Sequence, residues 1–378
     1  MNIAITGSHG FIGSALCQAL AARGDVATRL GRGEVNASNL EGVDAVVNLA
    51  GANILGGLWT QRRKALIRDS RVQTTWRLSQ TLASMKNPPR VLISASAVGL
   101  YGDRGDEKID EHAPPGSGFL SRVCVEWEEA TTPAAKRGVR VVHPRFGMVL
   151  GEDGGALKRI LPLFKLGFGG KLGHGRQWMS WVYQDDAIAA ILFAIDHDVL
   201  SGPVNVVAPN PVTNAEFTKA LGALVHRPTF FTVPAFAFNL LGSMGREMFL
   251  ASTRALPRRL QAAGYTFQCP TLASCFGRKI SICSSGRLAK EGDMAEKEIG
   301  SVEHFFGHLG VAAIKIKGPL KVGDVIHVKG HTTDFTETVK SIQLKHESIQ
   351  AAKKGADIGI KMDGKCREHD KVFVVTPD

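Results

Sequence analysis

Residues 1–24 read MNIAITGSHGFIGSALCQALAARG and decide the fold. A short apolar strand, NIAIT, is followed at once by a glycine-rich turn and then by a helical pattern. Glycines in such a turn let the backbone approach a pyrophosphate, and the start of a helix offers that anion free N–H groups and a positive dipole end. A purely structural strand-to-helix turn is the alternative. We predict that the dinucleotide-binding turn comprises Gly7, Ser8, His9, Gly10, Phe11, Ile12 and Gly13.

The same alternation of strand and helix patterns continues to about residue 150. Apolar runs such as VATRL, DAVVNLAG, RVLISASA and VRVVHPRFG alternate with helical patterns. Unbroken apolar strands separated by helices are typical of a parallel sheet that is covered on both faces. We therefore expect a Rossmann-type, doubly wound α/β domain over residues 1–276, in which residues from about 151 to 276 form a small substrate-side segment.

The character of the sequence changes after residue 276. Residues 277–296 are polar, contain Gly and Ser and show no periodicity, as expected of a linker. Beyond them, runs such as AAIKIKG, DVIHVKG and VFVVTP alternate apolar and polar residues. We predict a separate all-β domain over residues 297–378, most simply a barrel, because closure removes exposed strand edges.

Composition places the chain among ordinary globular proteins, with 44% hydrophobic and 21% charged residues in a length of 378. The net charge of +11 favours anionic partners such as phosphorylated cofactors or nucleic acid, although a solvated basic surface explains it equally well. The six cysteines have neither zinc-site spacing nor the density of a disulfide scaffold, so we expect reduced thiols and no metal. Without a secretory leader pattern or a bilayer-spanning apolar run, a cytoplasmic protein with no membrane association is expected.

The end of the second predicted strand, TRLGRGE, bears on the choice of cofactor. An acidic residue at this position binds the ribose hydroxyls of NAD, whereas an arginine accommodates the 2′-phosphate of NADP. Arg32 falls where the strand should end, and its planar guanidinium suits a phosphate. We therefore favour NADP(H), with NAD(H) as the alternative in which Glu34 takes the ribose.

Several further stretches carry a family resemblance, among them NLAGANI, SASAVGLYG, FLSRVCVEWE, GHGRQWMSWVYQDD and LPRRLQAAGYTF. Residues 1 to about 276 resemble the atypical extended short-chain dehydrogenases/reductases, also described as sugar-nucleotide-epimerase-like or NAD-dependent epimerase/dehydratase-like proteins. The resemblance implies an oxidoreductase or epimerase reaction and a cofactor site completed by strand-end loops. The residues of those loops are Leu49, Ala50, Gly51, Ser94, Ala95 and Arg145.

The chain lacks the catalytic pair of that superfamily, in which a tyrosine acts as general acid/base and a lysine four residues later shares its helix face and lowers its pKa. None of the tyrosines has a lysine four residues later; they are Tyr101, Tyr183 and Tyr265. The helix expected to carry the pair offers Phe119 and Val123 in one register and Leu120 and Cys124 in the other. Ordinary alcohol-to-ketone chemistry therefore lacks its usual proton donor.

The remaining candidates for catalysis are Ser96 and Tyr101. Ser96 lies at about the place of the superfamily's catalytic serine, and a hydroxyl that satisfies local backbone is the alternative. Cys124 and Glu128 are weighed as further proton-transfer groups, but a core thiol and a helix-surface carboxylate are the favoured interpretations.

Two places in the sequence suggest substrate contacts. Arg176, Gln177 and Trp178 form a polar and aromatic trio on a Gly-flanked loop, where a structural turn is the alternative. Arg71 falls where, by the resemblance, extended members place an active-site asparagine. An arginine near the cleft would suit an anionic substrate, although a solvated basic helix face is the commoner explanation for the arginines and lysine around it.

The last eighty or so residues resemble the second-domain β-barrel of translational GTPases such as elongation factor Tu. The resemblance is carried by the turn KVGD, the strand TVKSIQL and the turn AKKGAD, and the chain has no P-loop. It implies protein or RNA contacts, of which RNA is less favoured because stacking aromatic residues are sparse.

The sequence thus supports an NADP(H)-dependent oxidoreductase acting on a small, anionic or sugar-derived substrate. A non-catalytic NADP(H) sensor or scaffold, with the β domain as its contact module, is the alternative.

Overall fold

A computed structural model describes residues 1–31, 33–151, 154–278, 295–306, 311–330, 333–339, 341–344, 347–362, 366–368 and 370–376. The chain divides into two compact units, Met1–Ile282 and Cys283–Asp378. Each unit has its own buried apolar core. Of the linker predicted over 277–296, residues 279–294 lie outside the described residues.

The first half of unit 1 alternates strands with helices. Its strands are β1 (Asn2–Thr6), β2 (Val26–Leu30), β3 (Ala45–Asn48), β4 (Val91–Ser94), β5 (Ser96–Ala97), β6 (Lys108–Ile109), β7 (Arg140–Phe146) and β8 (Met148–Leu150). Its helices are α1 (Phe11–Ala22), α2 (Ala37–Leu40), α3 (Gln61–Ser84), α4 (Phe119–Glu129) and α5 (Thr132–Lys136), with a 3-10 turn at Val98–Tyr101.

The second half of unit 1 is built from shorter elements. Its strands are β9 (Gly170–Leu172), β10 (Trp178–Met179), β11 (Trp181–Tyr183), β12 (Gly202–Val206), β13 (Val212–Thr213), β14 (Phe231–Val233) and β15 (Arg254–Ala255). Its helices are α6 (Gly155–Lys165), α7 (Gln184–Asp196), α8 (Asn214–Leu224), α9 (Ala235–Asn239), α10 (Ser243–Gly245), a π-helical turn (Arg246–Leu250), α11 (Arg258–Ala262) and α12 (Leu272–Arg278).

The central sheet of unit 1 has the strand order β12-β7-β4-β3-β1-β2, and β5 pairs with β7 as a short continuation. Every one of these pairings is parallel. Ile3 and Ile5 of β1 share a core with α1 and α7, while Ala4 faces the opposite core with α3 and α5. The predicted doubly wound parallel sheet is therefore confirmed. Because parallel strands end at the same edge, the segments after β1, β3, β4 and β7 meet there.

Unit 2 is all-β, as predicted. Its strands are β16 (Ala295–Phe306), β17 (Val311–Ile316), β18 (Leu320–Lys321), β19 (Val325–Lys329), β20 (Asp334–Thr338), β21 (Ile342–Leu344), β22 (Glu347–Ile349), β23 (Ala351–Ala352), β24 (Asp357–Lys361) and β25 (Lys371–Thr376). Eight of them form one antiparallel sheet in the order β20-β19-β25-β16-β17-β24-β21-β22. The edge strands β20 and β22 do not pair with each other in the described residues, so the sheet is a half-barrel.

Alternation explains how unit 2 buries its core. Ala312, Ile314 and Ile316 point inward from β17, as do Ile326 and Val328 from β19, and the intervening residues face outward, as a period of two requires. Across the described ranges of the chain, no helix combines the length and the apolar character needed to cross a membrane.

Candidate cofactor and substrate site

The turn between β1 and α1 requires glycine at two positions. Gly7 has a φ of +70°, and a Cβ there would lie 2.7 Å from the carbonyl carbon of Leu49. A Cβ on Gly13 would overlap the carbonyl oxygen of Gly7. The first glycine lets the turn touch the loop after β3, and the second lets α1 close onto the turn. Both are therefore needed for the compact strand-turn-helix unit that the sequence predicts.

The first turn of α1 offers its backbone N–H groups to an anion. Its N-cap is Gly10, which has extended backbone and makes no side-chain capping bond. Gly10 and His9 are exposed, whereas Ser8 is buried and pairs with the ring of His9 at 3.3 Å. Uncapped N–H groups together with the helix dipole fit a pyrophosphate at this point. The residues of the glycine turn thus fit a dinucleotide.

Phe11 joins the glycine turn to the segment after β8. A Cβ on Gly151 or Gly154 would lie against the ring of Phe11, so the two backbones pack directly on it. The side-chain amide of Gln184, at the start of α7, donates to the carbonyl oxygen of Phe11 at 3.1 Å. These contacts fix the first residue of α1 against the segment after β8 and the start of α7.

The end of β2 is the segment that the sequence assigns to the choice between NADP and NAD. Arg32, which sequence reasoning assigned to a 2′-phosphate, lies outside the described residues. Glu34, the residue that would favour NAD, accepts the backbone N–H of Gly31. This bond closes the local turn with the Glu34 carboxylate.

Arg71 of α3 packs against the loop after β3, at the edge of the sheet. A Cβ on Gly51 would lie 3.0 Å from the guanidinium carbon of Arg71. Arg71 donates to the carbonyl oxygens of Ala52 at 3.0 Å and Ile67 at 3.1 Å, and its guanidinium lies 5.1 Å from the ring centroid of Trp127. The loop containing Leu49, Ala50 and Gly51 therefore carries a positive charge beside it.

The described residues provide no counter-ion for that charge. Arg71 is half-buried, and no carboxylate of the described residues forms an ion pair with it. Burial lowers the pKa of Arg71, although an arginine stays protonated in proteins. A desolvated cation satisfied only by backbone carbonyls and an aromatic face attracts an anion or an electron-rich oxygen.

The ends of β3 and β4 are fixed by a buried polar network. Asn48 accepts the hydroxyl of Thr6 at 2.6 Å and donates to Thr75 at 2.7 Å and Ser94 at 3.2 Å. The N–H of Ala95 donates to the carbonyl oxygen of Asn48 at 3.0 Å. Ser94 is fully buried and Ala95 nearly so. Both residues hold the edge of the sheet in place from within the core.

Ser96 belongs to a buried charged group centred on Glu128. The Ser96 hydroxyl donates to Glu128 Oε1 at 2.6 Å, and Arg145 grips both carboxylate oxygens of Glu128 at 2.8 Å. Burial opposes ionisation of Glu128, but the hydrogen bonds and charge of Arg145 outweigh it and hold the pKa of Glu128 below its ordinary value. The interpretation of Glu128 as a helix-surface carboxylate is therefore wrong.

Tyr101 lies in the core, with both sides of its hydroxyl occupied. The hydroxyl donates to Asn205 Oδ1 at 2.7 Å and accepts from Arg145 Nη1 at 2.9 Å. Burial raises the pKa of Tyr101, although Arg145 acts in the opposite direction. In this arrangement the neutral phenol supports Arg145.

Apolar residues fill the place expected for the tyrosine–lysine pair on α4. Phe119 packs edge-on against Trp59, with ring centroids 5.1 Å apart, and shares a buried cluster with Val123 and Met244. In the other register, Cys124 is buried as expected, and burial raises its pKa to about 12. A thiol with that pKa carries no thiolate at neutral pH.

Glu247 caps α4, a role that the sequence did not indicate. It accepts the N–H groups of Phe119 at 3.0 Å and Leu120 at 2.8 Å, and so caps α4 from the π-helical turn. Its 128-residue separation from Phe119 leaves no local signal. A helix that starts Gly-Phe without a Ser, Thr, Asn or Asp cap is the one hint that a distant acceptor is needed.

The trio Arg176, Gln177 and Trp178 does not act as a unit. Gln177 is 3% exposed and donates to the carbonyl oxygens of Leu172 at 3.0 Å and Phe249 at 3.1 Å. Its side chain therefore joins the end of β9 to the π-helical turn. Trp178 donates from its indole to Asp106 at 2.7 Å. Arg176 is exposed. Among the described residues, no hydrogen bond joins the trio to the glycine turn.

Trp178 faces a separate cavity. The guanidinium of Arg254 stacks 3.8 Å from its ring centroid, and both residues line a cavity of about 380 Å³ together with Lys108 and Arg258. Across the described residues, no cluster of three metal-ligating side chains is found. Unit 1 thus contains, in addition to the edge of the sheet, a cavity lined by three basic side chains, the ring of Trp178 and the carboxylate of Glu216.

A glycine turn at the uncapped start of α1, on the strand next to the edge strand of a doubly wound parallel sheet, defines a dinucleotide-binding protein of the Rossmann class. The model of the NAD-dependent epimerase/dehydratase family matches residues 3–207, and that of a domain of unknown function, DUF1731, matches residues 233–278. The chain belongs to the NAD-dependent epimerase/dehydratase family.

Relatives from distant organisms match nearly three quarters of the chain. An epimerase family protein of Mycobacterium bovis is 44% identical over 291 residues, which span 73% of this chain and 96% of the relative. The epimerase family protein YfhF of Bacillus subtilis is 36% identical over 287 residues, spanning 71% and 94%. The matched lengths correspond to unit 1.

Two solved structures share this fold and show clear sequence similarity. The human epimerase family protein SDR39U1, solved with NADPH, is 32% identical, has a TM-score of 0.71 and covers 75% of this chain and 100% of its own. The nucleoside-diphosphate sugar epimerase of Corynebacterium glutamicum is 36% identical, has a TM-score of 0.61 and covers 74% of this chain and 59% of its own.

Proposed function

We propose that the chain is an NADP(H)-dependent oxidoreductase of the atypical short-chain dehydrogenase type, acting on a small anionic or sugar-derived substrate. The observation that carries the proposal is the closed glycine turn at the uncapped start of α1, where Gly7 and Gly13 admit no side chain. NADPH in the human relative supports the choice of cofactor. When bound, the cofactor would supply the hydride.

In this proposal, Arg71 replaces Ser96 and Tyr101 as the residue that meets the substrate. Ser96 and Tyr101 are buried and use their hydroxyls to hold Glu128 and Arg145. Arg71 offers an uncompensated positive charge beside Gly51, where it would orient a carboxylate, a phosphate or a developing oxyanion. The buried group around Glu128 positions the ends of β5 and β7.

The test is turnover by the purified full chain with NADPH and a panel of carbonyl compounds, each in an anionic and a neutral version. We expect oxidation of NADPH with a preference for anionic substrates. Arg71→Met should abolish that preference and leave NADPH binding intact, because the glycine turn is unchanged. Arg68→Met, an exposed position on the same helix, is the matched control. Equal activity of both variants on anionic substrates would contradict the role of Arg71.

A second candidate is a non-catalytic NADP(H) sensor or scaffold. The observation that favours it is the apolar cluster of Phe119, Val123, Trp59 and Met244 at the place of the proton-transfer pair. A sensor predicts tight NADPH binding without turnover across the whole panel. Turnover of any panel member at a rate that depends on Arg71 would reject it.

We also propose that unit 2 is a contact module of the translation-factor type, binding protein in preference to RNA. Its KVGD turn is closed by Asp324, whose carboxylate accepts the N–H of Lys321 at 2.8 Å. RNA binding that falls with salt and disappears on deletion of residues 296–378 would favour RNA instead.

We also propose a cytoplasmic location, which the free thiols of the described cysteines support.

A further inference from the structure

One part of unit 1 exposes an unusual amount of apolar surface. Seven of the fourteen large apolar side chains that are exposed in the described residues fall within 163–168 and 230–240. We call the following residues the apolar face: Leu163, Leu166, Phe168, Phe230, Phe231 and Phe236. The most prominent, Phe230, is 88% exposed. Exposed apolar clusters on this scale mark contact surfaces.

The residues of the apolar face are neighbours in space. The rings of Phe168 and Phe231 lie 6.2 Å apart, and β14, which begins at Phe231, pairs with β9, which begins at Gly170. The turn after α6 is tied across by Arg227, whose Nε donates to the carbonyl oxygen of Lys165 at 3.1 Å. The end of α6, the β9–β14 ladder and the start of α9 therefore form one continuous surface.

The two stretches of chain that carry the apolar face are basic. Residues 154–184 and 217–246 contain no Asp or Glu but eight Lys and Arg, all of them exposed. No carboxylate of the described residues pairs with any of the eight. Lys165, Lys171 and Arg227 lie on the elements of the face itself. Glu216, the exposed carboxylate next to these stretches, is held in the capping box of α8 with Thr213. An apolar centre that carries Lys165, Lys171 and Arg227 on its own elements is complementary to an anionic surface with an apolar interior.

We infer that the apolar face docks unit 1 onto a lipid bilayer containing anionic headgroups, with the phenylalanine rings entering the acyl boundary and the basic side chains meeting the phosphates. The rings stand out from the surface, as bilayer insertion requires, since inserted side chains bury apolar area while lysines remain at the headgroups. The cytoplasmic leaflet carries that negative charge. This binding is peripheral and independent of the cofactor chemistry, and it departs from the expectation of no membrane association.

Flotation of the full chain with vesicles tests the inference. Vesicles of neutral phosphatidylcholine are compared with vesicles in which part of it is replaced by phosphatidylglycerol. We expect flotation with the anionic vesicles only, weakened by salt. Phe230→Ser with Phe231→Ser, and separately Lys165→Glu with Lys171→Glu, should each reduce the bound fraction at limiting lipid by about tenfold or more.

Matched controls separate docking from general changes of charge and exposure. Val199→Ser removes an exposed apolar side chain elsewhere in unit 1, and Lys86→Glu with Lys136→Glu reverses two exposed charges outside the face; each should float as the parent chain does. Unchanged melting temperatures show that all variants fold. Absence of flotation with anionic vesicles, or equal losses in face and control variants, overturns the inference. So does a change from dimer to monomer in the face variants without a change in flotation, which would assign the face to a second copy of the chain.

Discussion

Arg145 and Glu128 illustrate how single residues organise the edge of the sheet. Their side chains are 8% and 13% exposed, and the fork of Arg145 uses both carboxylate oxygens. Ser96 and Tyr101 complete the coordination of the pair with their hydroxyls. The polar residues that resemble catalytic groups in the sequence thus serve to bury one ion pair with its hydrogen bonds satisfied.

Removing one partner of the buried Arg145–Glu128 pair should lower the free energy of unfolding far more than removing one partner of an exposed ion pair. Arg145→Met leaves Glu128 buried without a counter-ion, so we expect a loss of roughly 3–5 kcal/mol in the free energy of unfolding. Arg68→Met breaks exposed pairs with Asp69 and Glu126 and should cost less than about 1 kcal/mol. All five tryptophans lie before residue 182, so tryptophan fluorescence during urea unfolding reports unit 1 alone. Similar losses in both variants would contradict the account.

The same pair predicts a pH dependence. The pKa of Glu128 is lowered in the folded chain, so its stabilising contribution is complete above the ordinary glutamate value of about 4.3 and is lost as the pH falls through the lower folded value. The difference in free energy of unfolding between the parent chain and Glu128→Gln should stay constant from pH 6 to 8. It should shrink when the pH falls below about 4.3. Urea titrations at each pH measure it, and a difference that grows in acid would contradict the assignment.

At the scale of elements, local features were predictable and distant ones were not. The β1–α1 turn follows from its own glycines, because their spacing and the neighbouring apolar strand lie within a dozen residues. The burial of Glu128 depends on Arg145 of β7, and the cap of α4 depends on Glu247, more than a hundred residues away. A single sequence carries no local signal for such contacts. The inward turn of Gln177, which binds backbone carbonyl oxygens of two other segments, has no local signal either.

The glycine turn can be tested against a matched glycine. Gly7→Ala places a Cβ against Leu49 in a left-handed backbone, so we expect NADPH affinity to fall by at least about tenfold. Gly24 has a similar φ of +78°, but a Cβ there meets nothing within 4 Å. Gly24→Ala should therefore cost about 1 kcal/mol of stability and leave NADPH affinity unchanged. Fluorescence titration with NADPH measures the affinity of each variant, and equal affinities for Gly7→Ala and Gly24→Ala would refute the role of the turn.

The cap of α4 makes a prediction of its own. Glu247→Gln weakens two charge-assisted bonds to the first N–H groups of the helix and should lower the free energy of unfolding by about 1 kcal/mol. Glu129→Gln, exposed at the other end of α4, should have a smaller effect or a stabilising one, because a negative charge there opposes the helix dipole. Tryptophan-monitored urea unfolding compares them, and a larger loss in Glu129→Gln would contradict the capping role.

At the scale of the molecule, the order of patterns was enough to predict two different units. Alternating strands and helices indicated the parallel sheet, and a period of two indicated the antiparallel one. The sequence did not reveal that, in the part of unit 2 that the structure describes, the second sheet is open between β20 and β22, because which strands meet across a barrel is decided by non-local pairing. Separate cores imply that the units fold independently.

A chain that ends after Ile282 tests this independence. It retains every residue of the glycine turn and of the core of unit 1. We expect its tryptophan-monitored melting temperature and its affinity for NADPH to match those of the full chain, within about twofold for the affinity. A truncated chain that is unfolded, or one that no longer binds NADPH, would show that unit 2 is needed for unit 1.

Calorimetric titration of the full chain with NADPH, repeated with NADH and with the variant Gly13→Val, tests most directly whether the glycine turn binds a dinucleotide. We expect saturable one-to-one binding of NADPH with a Kd in the range of about 1–100 μM, weaker binding of NADH, and none by the variant, whose side chain would overlap the Gly7 carbonyl. Absence of heat with NADPH, or equal binding by Gly13→Val, would contradict a dinucleotide site at the glycine turn.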